Sequence, residues 1–153
     1  MTQLRAIPPA PLWLGLAGLL PFIWGAATYL NDPLQAWGAA NLGSRFVGPY
    51  VQLAYGSVIL SFMSGVLWGF AARASGSQAA TGFALSVIPA LWAFFMTGGG
   101  PTSAAINLIF GFAGLLLLDF AFSRWGLTPE WWMPLRLILS SIVIVCLAVG
   151  VVM

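Results

Sequence analysis

Long runs of apolar residues, separated by short polar segments, dominate the chain. A helix needs about 20 apolar residues to cross a hydrocarbon core of about 30 Å. Windows of this kind cover approximately residues 11–30, 50–72, 79–96, 103–122 and 134–153. Because backbone amides cannot stay unpaired in lipid, each window predicts a helix rather than an open strand. The pattern therefore predicts an all-α membrane protein whose single domain, residues 1–153, is a five-transmembrane-helix bundle.

The polar segments between the windows are short, with one exception. Gly98-Gly99-Gly100-Pro101 predicts a tight turn between the third and fourth spans, because Gly and Pro break helices. Residues 31–49 make the long connection, and Asp32-Pro33 could start a short helix within it. An amphipathic interfacial helix and an irregular loop anchored by Trp37 fit this connection equally well.

The arginine positions predict an orientation. With a cytoplasmic N-terminus, the inner side would hold four of the five arginines, namely Arg5, Arg73, Arg124 and Arg136. Since cytoplasmic loops carry an excess of Lys and Arg, we expect an N-in, C-out topology. The first window is long for the h-region of a signal peptide, so we expect an uncleaved transmembrane helix there.

Composition supports the membrane assignment and excludes several function classes. Of the 153 residues, 61% are hydrophobic and 5% are charged, whereas about a quarter are charged in soluble domains. The net charge of +2 comes from dispersed arginines, and nucleic-acid binding needs clustered ones. The chain has no His and one Cys, Cys146, which excludes histidine-based hydrolase chemistry and most zinc sites. We therefore predict no catalytic residue, no metal, no cofactor and no nucleic-acid partner.

Small residues recur at every fourth position of the second span. This stripe consists of Ser57, Ser61, Gly65 and Gly69, and it ends in Gly-x-x-x-Gly. Small side chains let two helix backbones approach closely. The partner is either another chain or a neighbouring helix of the same bundle, and the second is favoured because a bundle needs such seams. A shorter stripe in the fourth span, expected to face the first, consists of Asn107, Gly111 and Gly114.

Asp119 is a carboxylate inside the fourth span, about one turn from its predicted end. A charge in lipid is costly unless it is paired or hydrated. Arg136 lies at a similar depth in the fifth span, and Arg73 ends the second span on the same side. Two interpretations follow, an ion pair that locks two helices and a relay for protons or cations. The pair is favoured because a relay needs more polar residues than these spans contain.

Aromatic and proline residues fit two interpretations, of which ordinary transmembrane prolines with interfacial tryptophan belts are favoured over a small cavity with an aromatic pocket. Most tryptophans lie near span ends, as in an interfacial belt. Trp68 and Trp92 lie nearer the middle of their spans and, together with Tyr55, are candidates for an aromatic ligand pocket. Pro21 and Pro89 predict helix kinks that free backbone carbonyls.

The second span also carries a family resemblance. Its motif reads Gln52-Leu53-Ala54-Tyr55-Gly56, then Leu60-Ser61-Phe62 with Gly65, then Trp68-Gly69-Phe70-Ala71. This motif resembles the signature of the domain of unknown function 3429 family, which includes transmembrane protein 69-like proteins. Gly18-Leu19-Leu20-Pro21-Phe22 and the Leu135-Arg136 pair add to the resemblance, whereas Leu67 stands where members often carry a basic residue. The resemblance implies a multi-pass inner-membrane protein, bacterial or mitochondrial, and supplies no catalytic residue.

These features are compatible with more than one function. The leading hypothesis is a non-enzymatic bundle that acts by contacts, as an accessory or assembly subunit or as a homo-oligomer. The alternative is a small-molecule or ion pathway that uses Asp119 and the proline-kinked spans. A lipid-modifying enzyme is the weakest alternative, because no nucleophile–base pair is visible. The expected partners are the lipid bilayer and other membrane chains. The expected location is the bacterial inner membrane, or the mitochondrial inner membrane in a eukaryote, and the Lys-free composition favours a bacterial source.

Overall fold

The computed structural model describes residues 7–153, which contain helices, turns and no strand. The first part of the chain forms α1 (Pro9–Ala17), α2 (Leu20–Leu30) and α3 (Asp32–Leu42), followed by a short 3₁₀ turn at Ser44–Phe46. The remaining helices are α4 (Gly48–Ala71), α5 (Gly76–Ser86), α6 (Ile88–Met96), α7 (Pro101–Arg124) and α8 (Trp132–Val152).

The prediction of five membrane-spanning helices is confirmed for length and apolarity. The spans are Pro9–Leu30, Gly48–Ala71, Gly76–Met96, Pro101–Arg124 and Trp132–Val152. Only 22% to 39% of the apolar window of each span is buried inside the protein. Most of the apolar surface therefore faces outward, which suits a lipid environment and not water.

The first and third spans are each broken near a proline. Pro21 and Pro89 lie in the first turn of α2 and α6, the second halves of these spans. Proline lacks an N–H and its ring clashes with the carbonyl four residues earlier, so the helix is interrupted there. At the second break a side chain of α4 supplies a missing acceptor, because Ala90 N donates to Ser64 Oγ at 2.8 Å.

Replacing Ser64 by alanine is expected to lower the free energy of unfolding by about 1–2 kcal/mol, because the Ala90 amide would lose its acceptor. Unfolding by SDS titration in mixed micelles measures this loss. Ser61→Ala is the matched control, since Ser61 is exposed and its Oγ donates to Ser57 O on its own helix. Equal losses in the two variants would contradict the role of Ser64.

The interior of the bundle is formed around α7, which packs against α4, α6 and α8. The largest fully buried apolar side chains of the bundle interior come from α2, α4, α7 and α8, and they are Phe22, Leu60, Leu67, Leu108, Phe112, Leu115, Phe122 and Leu147. One buried polar side chain joins three spans, because Gln52 Nε2 donates to Phe22 O at 3.0 Å and to Cys146 O at 3.1 Å. This amide ties α2 and α8 to α4.

The long connection between the first two spans contains α3, the helical alternative for residues 31–49. Asn31 caps this helix, because its side chain accepts a hydrogen bond from Leu34 N at 2.9 Å. The connection returns to the bundle at Gly48, whose φ of 58° suits glycine and whose N–H donates to Thr28 Oγ1 at 2.8 Å.

Candidate functional site

A buried polar cluster near one end of the bundle consists of Asp119 on α7 with Trp132 and Arg136 on α8, here named the Asp119 cluster. Arg136 Nε donates to Asp119 Oδ2 at 2.8 Å, and Trp132 Nε1 donates to Asp119 Oδ1 at 2.9 Å. The relative exposure is 0% for Asp119 and 5% for Arg136. Both carboxylate oxygens therefore hold a partner, and the opposite charges balance within the cluster.

The local sequence explains why these residues meet. Trp132 and Arg136 are four positions apart, so they lie on the same face of the first turns of α8. The turn between α7 and α8 passes through Gly126, whose φ is 72°, and Gly126 N donates to Ser123 O at 3.0 Å. This left-handed glycine ends α7, and the chain then folds back so that α8 runs beside Asp119.

Arg73, the third charged candidate, lies apart from the Asp119 cluster. Arg73 is exposed, and its Nη1 donates to Leu127 O at 3.2 Å. This bond joins the α4–α5 turn to the α7–α8 turn. Asp119, Arg136 and Arg73 are placed at the same side of the membrane by the sequence. The structure brings Asp119 and Arg136 together and leaves Arg73 apart.

A cavity of about 370 Å³ adjoins the Asp119 cluster, between α1, α2, α4, α7 and α8. Arg136 and Ser140 line it, and within the described residues Arg136 Nη2 and Ser140 Oγ are buried without a hydrogen-bond partner. Tyr55 also lines this cavity. Sequence reasoning missed Ser140, and the available signal was its four-residue spacing from Arg136 on a largely apolar helix.

The small-residue stripe of α4 faces outward. Ser61, Gly65 and Gly69 are exposed and Ser57 is half-buried. A Cβ atom added at Gly65 or at Gly69 would meet, within 4 Å, no described atom beyond its chain neighbours and the nearby backbone of its own helix. The large apolar side chains beside the stripe are exposed as well, namely Val58, Phe62 and Trp68.

The expectation that the two stripes face each other is wrong. The buried face of α4 contains Gly56, Leu60 and Ser64, and the stripe lies one position further on, which rotates it by about 100° around the helix axis. Gly111 of α7 packs against that buried face, because a Cβ atom added there would lie 2.8 Å from Leu60 Cδ1.

The other two members of the α7 stripe have different surroundings. Asn107 joins α7 to α6, since its side-chain Nδ2 donates to Met96 O at 2.9 Å and its backbone carbonyl accepts from Trp92 Nε1 at 2.6 Å. Gly114 has open space beside it. This stripe is therefore partly an internal seam, made with α4 and α6.

The three aromatic candidates lie in separate places. Tyr55 packs edge-on against Phe22, with the ring centroids 5.3 Å apart, and lines the cavity. Trp68 is 52% exposed and packs against Phe83 of α5. Trp92 lies between α6 and α7. Depth along a span was readable from the sequence, whereas the direction of each ring depends on how its helix is rotated.

Residues 7–153 contain no group of three or more His, Cys, Asp or Glu side chains that could hold a metal ion.

A family model described as "Protein of unknown function (DUF3429)" matches residues 7–152. The chain belongs to the DUF3429 family. The resemblance seen in the second span is thereby confirmed.

This DUF3429 protein is 32% identical over 151 residues to Transmembrane protein 69 of Xenopus tropicalis. The alignment covers 92% of the DUF3429 protein and 53% of the frog protein. The chain thus spans about half the length of the curated relative it matches. No solved structure matches it.

Proposed function

We propose that this DUF3429 protein is a non-enzymatic helical bundle that works by lateral association within the membrane. It acts as an accessory or assembly subunit of a larger membrane complex, or as a homo-oligomer. The observation that carries the proposal is the outward-facing stripe of α4, in which an added Cβ atom at Gly65 or Gly69 would have no neighbour within 4 Å from any other helix of residues 7–153.

The bundle uses other glycines for its own close helix contacts. A Cβ atom added at Gly25, Gly56, Gly82 or Gly111 would lie 3.0 Å or less from a side chain of a neighbouring helix. Apart from Ser57, whose Oγ donates to Thr97 Oγ1 at 3.5 Å, the stripe takes no part in such contacts, so its Ser61–Gly69 part can receive a helix of another chain. Interfaces between transmembrane helices are enriched in such small residues, because close packing replaces the missing hydrophobic driving force. Val58, Phe62 and Trp68 would then interlock with side chains of the partner helix.

The proposed topology is N-in and C-out in the bacterial inner membrane, or in the mitochondrial inner membrane of a eukaryote. The arginine distribution supports this orientation. Cysteine-accessibility labelling at single exposed loop positions, Ser44 on one side and Ser75 on the other, would test it, since only the cytoplasmic position should resist an impermeant reagent.

Replacing both Gly65 and Gly69 by leucine is expected to convert the native complex into a monomer, because the added side chains would hold the partner helix away. The measurement is the native mass of tagged protein purified in mild detergent, with identification of the co-eluting chains. The free energy of unfolding of the isolated chain should not fall, since both positions are open.

Ala80→Leu with Ala84→Leu is the matched control. These alanines of α5 are exposed and four positions apart, as the two glycines are. A complex that survives the glycine double substitution, or a wild-type protein that is monomeric in its native membrane extract, would overturn the proposal.

The ion-pathway alternative has less support from the site geometry. Both oxygens of Asp119 are occupied by Arg136 and Trp132, and the carboxylate is fully buried. A transported proton or cation would have to displace one of these partners. Flux into liposomes that is lost on Asp119→Asn would favour this alternative over the association proposal.

A further inference from the structure

A groove lies on the exposed surface of the bundle, at the end where the α3 connection joins the first two spans. Its larger branch has a volume of about 720 Å³ and lies between α2, α3 and α4, within the range of about 300–1,000 Å³ that small-molecule sites occupy. A smaller branch of about 250 Å³ follows α4. The two branches share the side chains of Pro21, Phe46 and Val51, so they form one forked groove.

The wall of the larger branch is apolar and aromatic. All of its described lining residues are of this kind, and the rings of Trp24 and Trp37 meet in it edge-on with their centroids 6.4 Å apart. The Trp24 N–H is already paired, because its Nε1 donates to Phe46 O at 2.7 Å. Water is poorly held by such a wall, so the branch suits a hydrocarbon chain.

The groove has the length expected for a site within one lipid leaflet. It follows α2 from Leu20 to Ala27 and α4 from Val51 to Val58, which is about 10 Å along each helix axis. One leaflet contributes about half of a hydrocarbon core of about 30 Å. Because α2 ends and α4 begins at this end of the bundle, an acyl chain that starts at the headgroup level can lie along the groove towards the bilayer centre.

Arg45 lies at the mouth of this groove and is exposed. It lines the smaller branch, and it lines a surface cavity of about 600 Å³ together with Ser44 and Tyr50. Its Cζ lies 5.6 Å from the ring centroid of Phe46, whereas no carboxylate of residues 7–153 lies within 4 Å of its guanidinium. Residues 1–6 contain no acidic side chain. The guanidinium is therefore accessible to an anion from outside the chain.

The turn that carries Arg45 is held against the bundle. The hydrogen bond from Trp24 Nε1 to Phe46 O ties this turn to α2. Val47 packs against α3, because a Cβ atom added at Gly38 would lie 2.6 Å from Val47 Cγ1. The backbone beside the groove is thus in place before a ligand binds, which lowers the entropic cost of binding.

We propose that this groove binds an anionic phospholipid, with its phosphate on Arg45 and its two acyl chains in the two branches. A guanidinium can donate two parallel hydrogen bonds to phosphate oxygens, which suits it to this contact. Ser44 and Tyr50 line the cavity around the guanidinium and can hydrogen-bond the rest of the headgroup.

The charges around Arg45 favour an anionic headgroup over a zwitterionic one. The ammonium of a zwitterionic lipid would need a carboxylate near the phosphate, and no described carboxylate lines either cavity that contains Arg45. Asp32, the acidic residue of the α3 connection, lines a neighbouring cavity that Arg45 does not line. An anionic lipid would supply the counter-charge that Arg45 lacks among the described residues.

Native mass spectrometry of the full chain in mild detergent tests this proposal. The protein is titrated with phosphatidylglycerol, phosphatidylcholine and phosphatidylethanolamine that carry identical acyl chains. We expect one phosphatidylglycerol to bind about tenfold more tightly than either zwitterionic lipid. Glycerophosphoglycerol, which is the same headgroup without tails, should not displace it.

Arg45→Gln is the decisive variant for the headgroup. It should weaken phosphatidylglycerol binding by about tenfold through the lost charge-assisted hydrogen bonds, while the free energy of unfolding stays nearly unchanged because Arg45 is exposed. Arg124→Gln is the matched control. Arg124 is also exposed and lies over a phenylalanine, 5.9 Å from the ring centroid of Phe120, but at the opposite end of the bundle.

Ala54→Phe tests the acyl-chain part of the site while Arg45 stays intact. Ala54 is exposed and lines the smaller branch, so the added ring should occupy that branch and weaken phosphatidylglycerol binding several-fold. Ala84→Phe, at an exposed position of α5, is the control for an added surface ring.

Four outcomes would overturn the proposal. Equal binding of the three lipids would mean that no headgroup is recognised, and tighter binding of phosphatidylethanolamine would replace the anionic ligand by a zwitterionic one. Equal losses in Arg45→Gln and Arg124→Gln would indicate adsorption by surface charge. Unchanged binding in Ala54→Phe would remove the groove from the site. Gly65 and Gly69 lie further along α4 than the groove, so the association proposal is tested separately.

Discussion

Replacing Asp119 by leucine is expected to lower the free energy of unfolding by about 3–5 kcal/mol, because Arg136 would be left buried without its counter-charge. In the native protein the guanidinium is 5% exposed, and its Nε donates to Asp119 Oδ2 at 2.8 Å. The substitution also removes the acceptor of Trp132 Nε1. SDS titration of the purified protein in mixed micelles measures the loss.

The double substitution Asp119→Leu with Arg136→Met should recover most of this loss. Exchanging both members of a buried pair for apolar residues of similar volume is often neutral or stabilising, since neither charge is then desolvated. A double-mutant cycle isolates the coupling of the two residues. Arg73→Met is the control, because Arg73 is exposed and donates only to the Leu127 carbonyl among the described residues. If Asp119→Leu costs no more than Arg73→Met, the ion pair does not hold α7 to α8.

Replacing Gly111 by leucine is expected to cost about 1–3 kcal/mol, or to prevent folding, because the α4–α6–α7 contact has no room for the side chain. A Cβ atom at Gly111 would lie 2.8 Å from Leu60 Cδ1 and 2.8 Å from Trp92 Cδ1. The indole of Trp92 cannot move aside easily, because its Nε1 donates to Asn107 O at 2.6 Å. The same SDS titration, with the yield of folded protein, measures the effect.

Gly114→Leu is the matched control for Gly111→Leu. Gly114 lies three positions further along α7 and has open space beside it, so the substitution should leave unfolding nearly unchanged. Similar losses at the two glycines would mean that helix α7, and not its contact with Leu60 and Trp92, is sensitive to leucine. Gly65→Leu adds a further comparison. It should leave the free energy of unfolding nearly unchanged because Gly65 faces outward, whereas Gly111→Leu should lower it because Gly111 packs inside the bundle.

The membrane spans were predictable because crossing lipid is a local property of the chain. Each window had to be apolar and about 20 residues long, and the helices begin and end within three residues of the predicted boundaries. The breaks near Pro21 and Pro89 were predictable for the same reason, since a missing N–H acts on its own helix. The meeting of Asp119 with Arg136 was also within reach, because a charge in a span needs a partner at its own depth.

The direction of each side chain around its helix was decided by tertiary structure. In these spans lipid is as apolar as the protein interior, so the hydrophobic pattern does not tell a lipid-facing residue from a buried one. Gly65 and Gly111 look alike in sequence, yet one is open and the other is packed against Leu60. Arg73 shares the end of the bundle with Asp119 and bonds a turn carbonyl instead.

The cavity shows the same division. Length, apolarity and the depth of each charged residue follow from the sequence alone, because they depend on single helices in contact with lipid. The unpaired donors of Arg136 and Ser140, and the cavity that these two residues help to line, exist only once α1, α2, α4, α7 and α8 are packed together. Helix rotation and spacing depend on close packing between distant parts of the chain, and no local pattern encodes that packing.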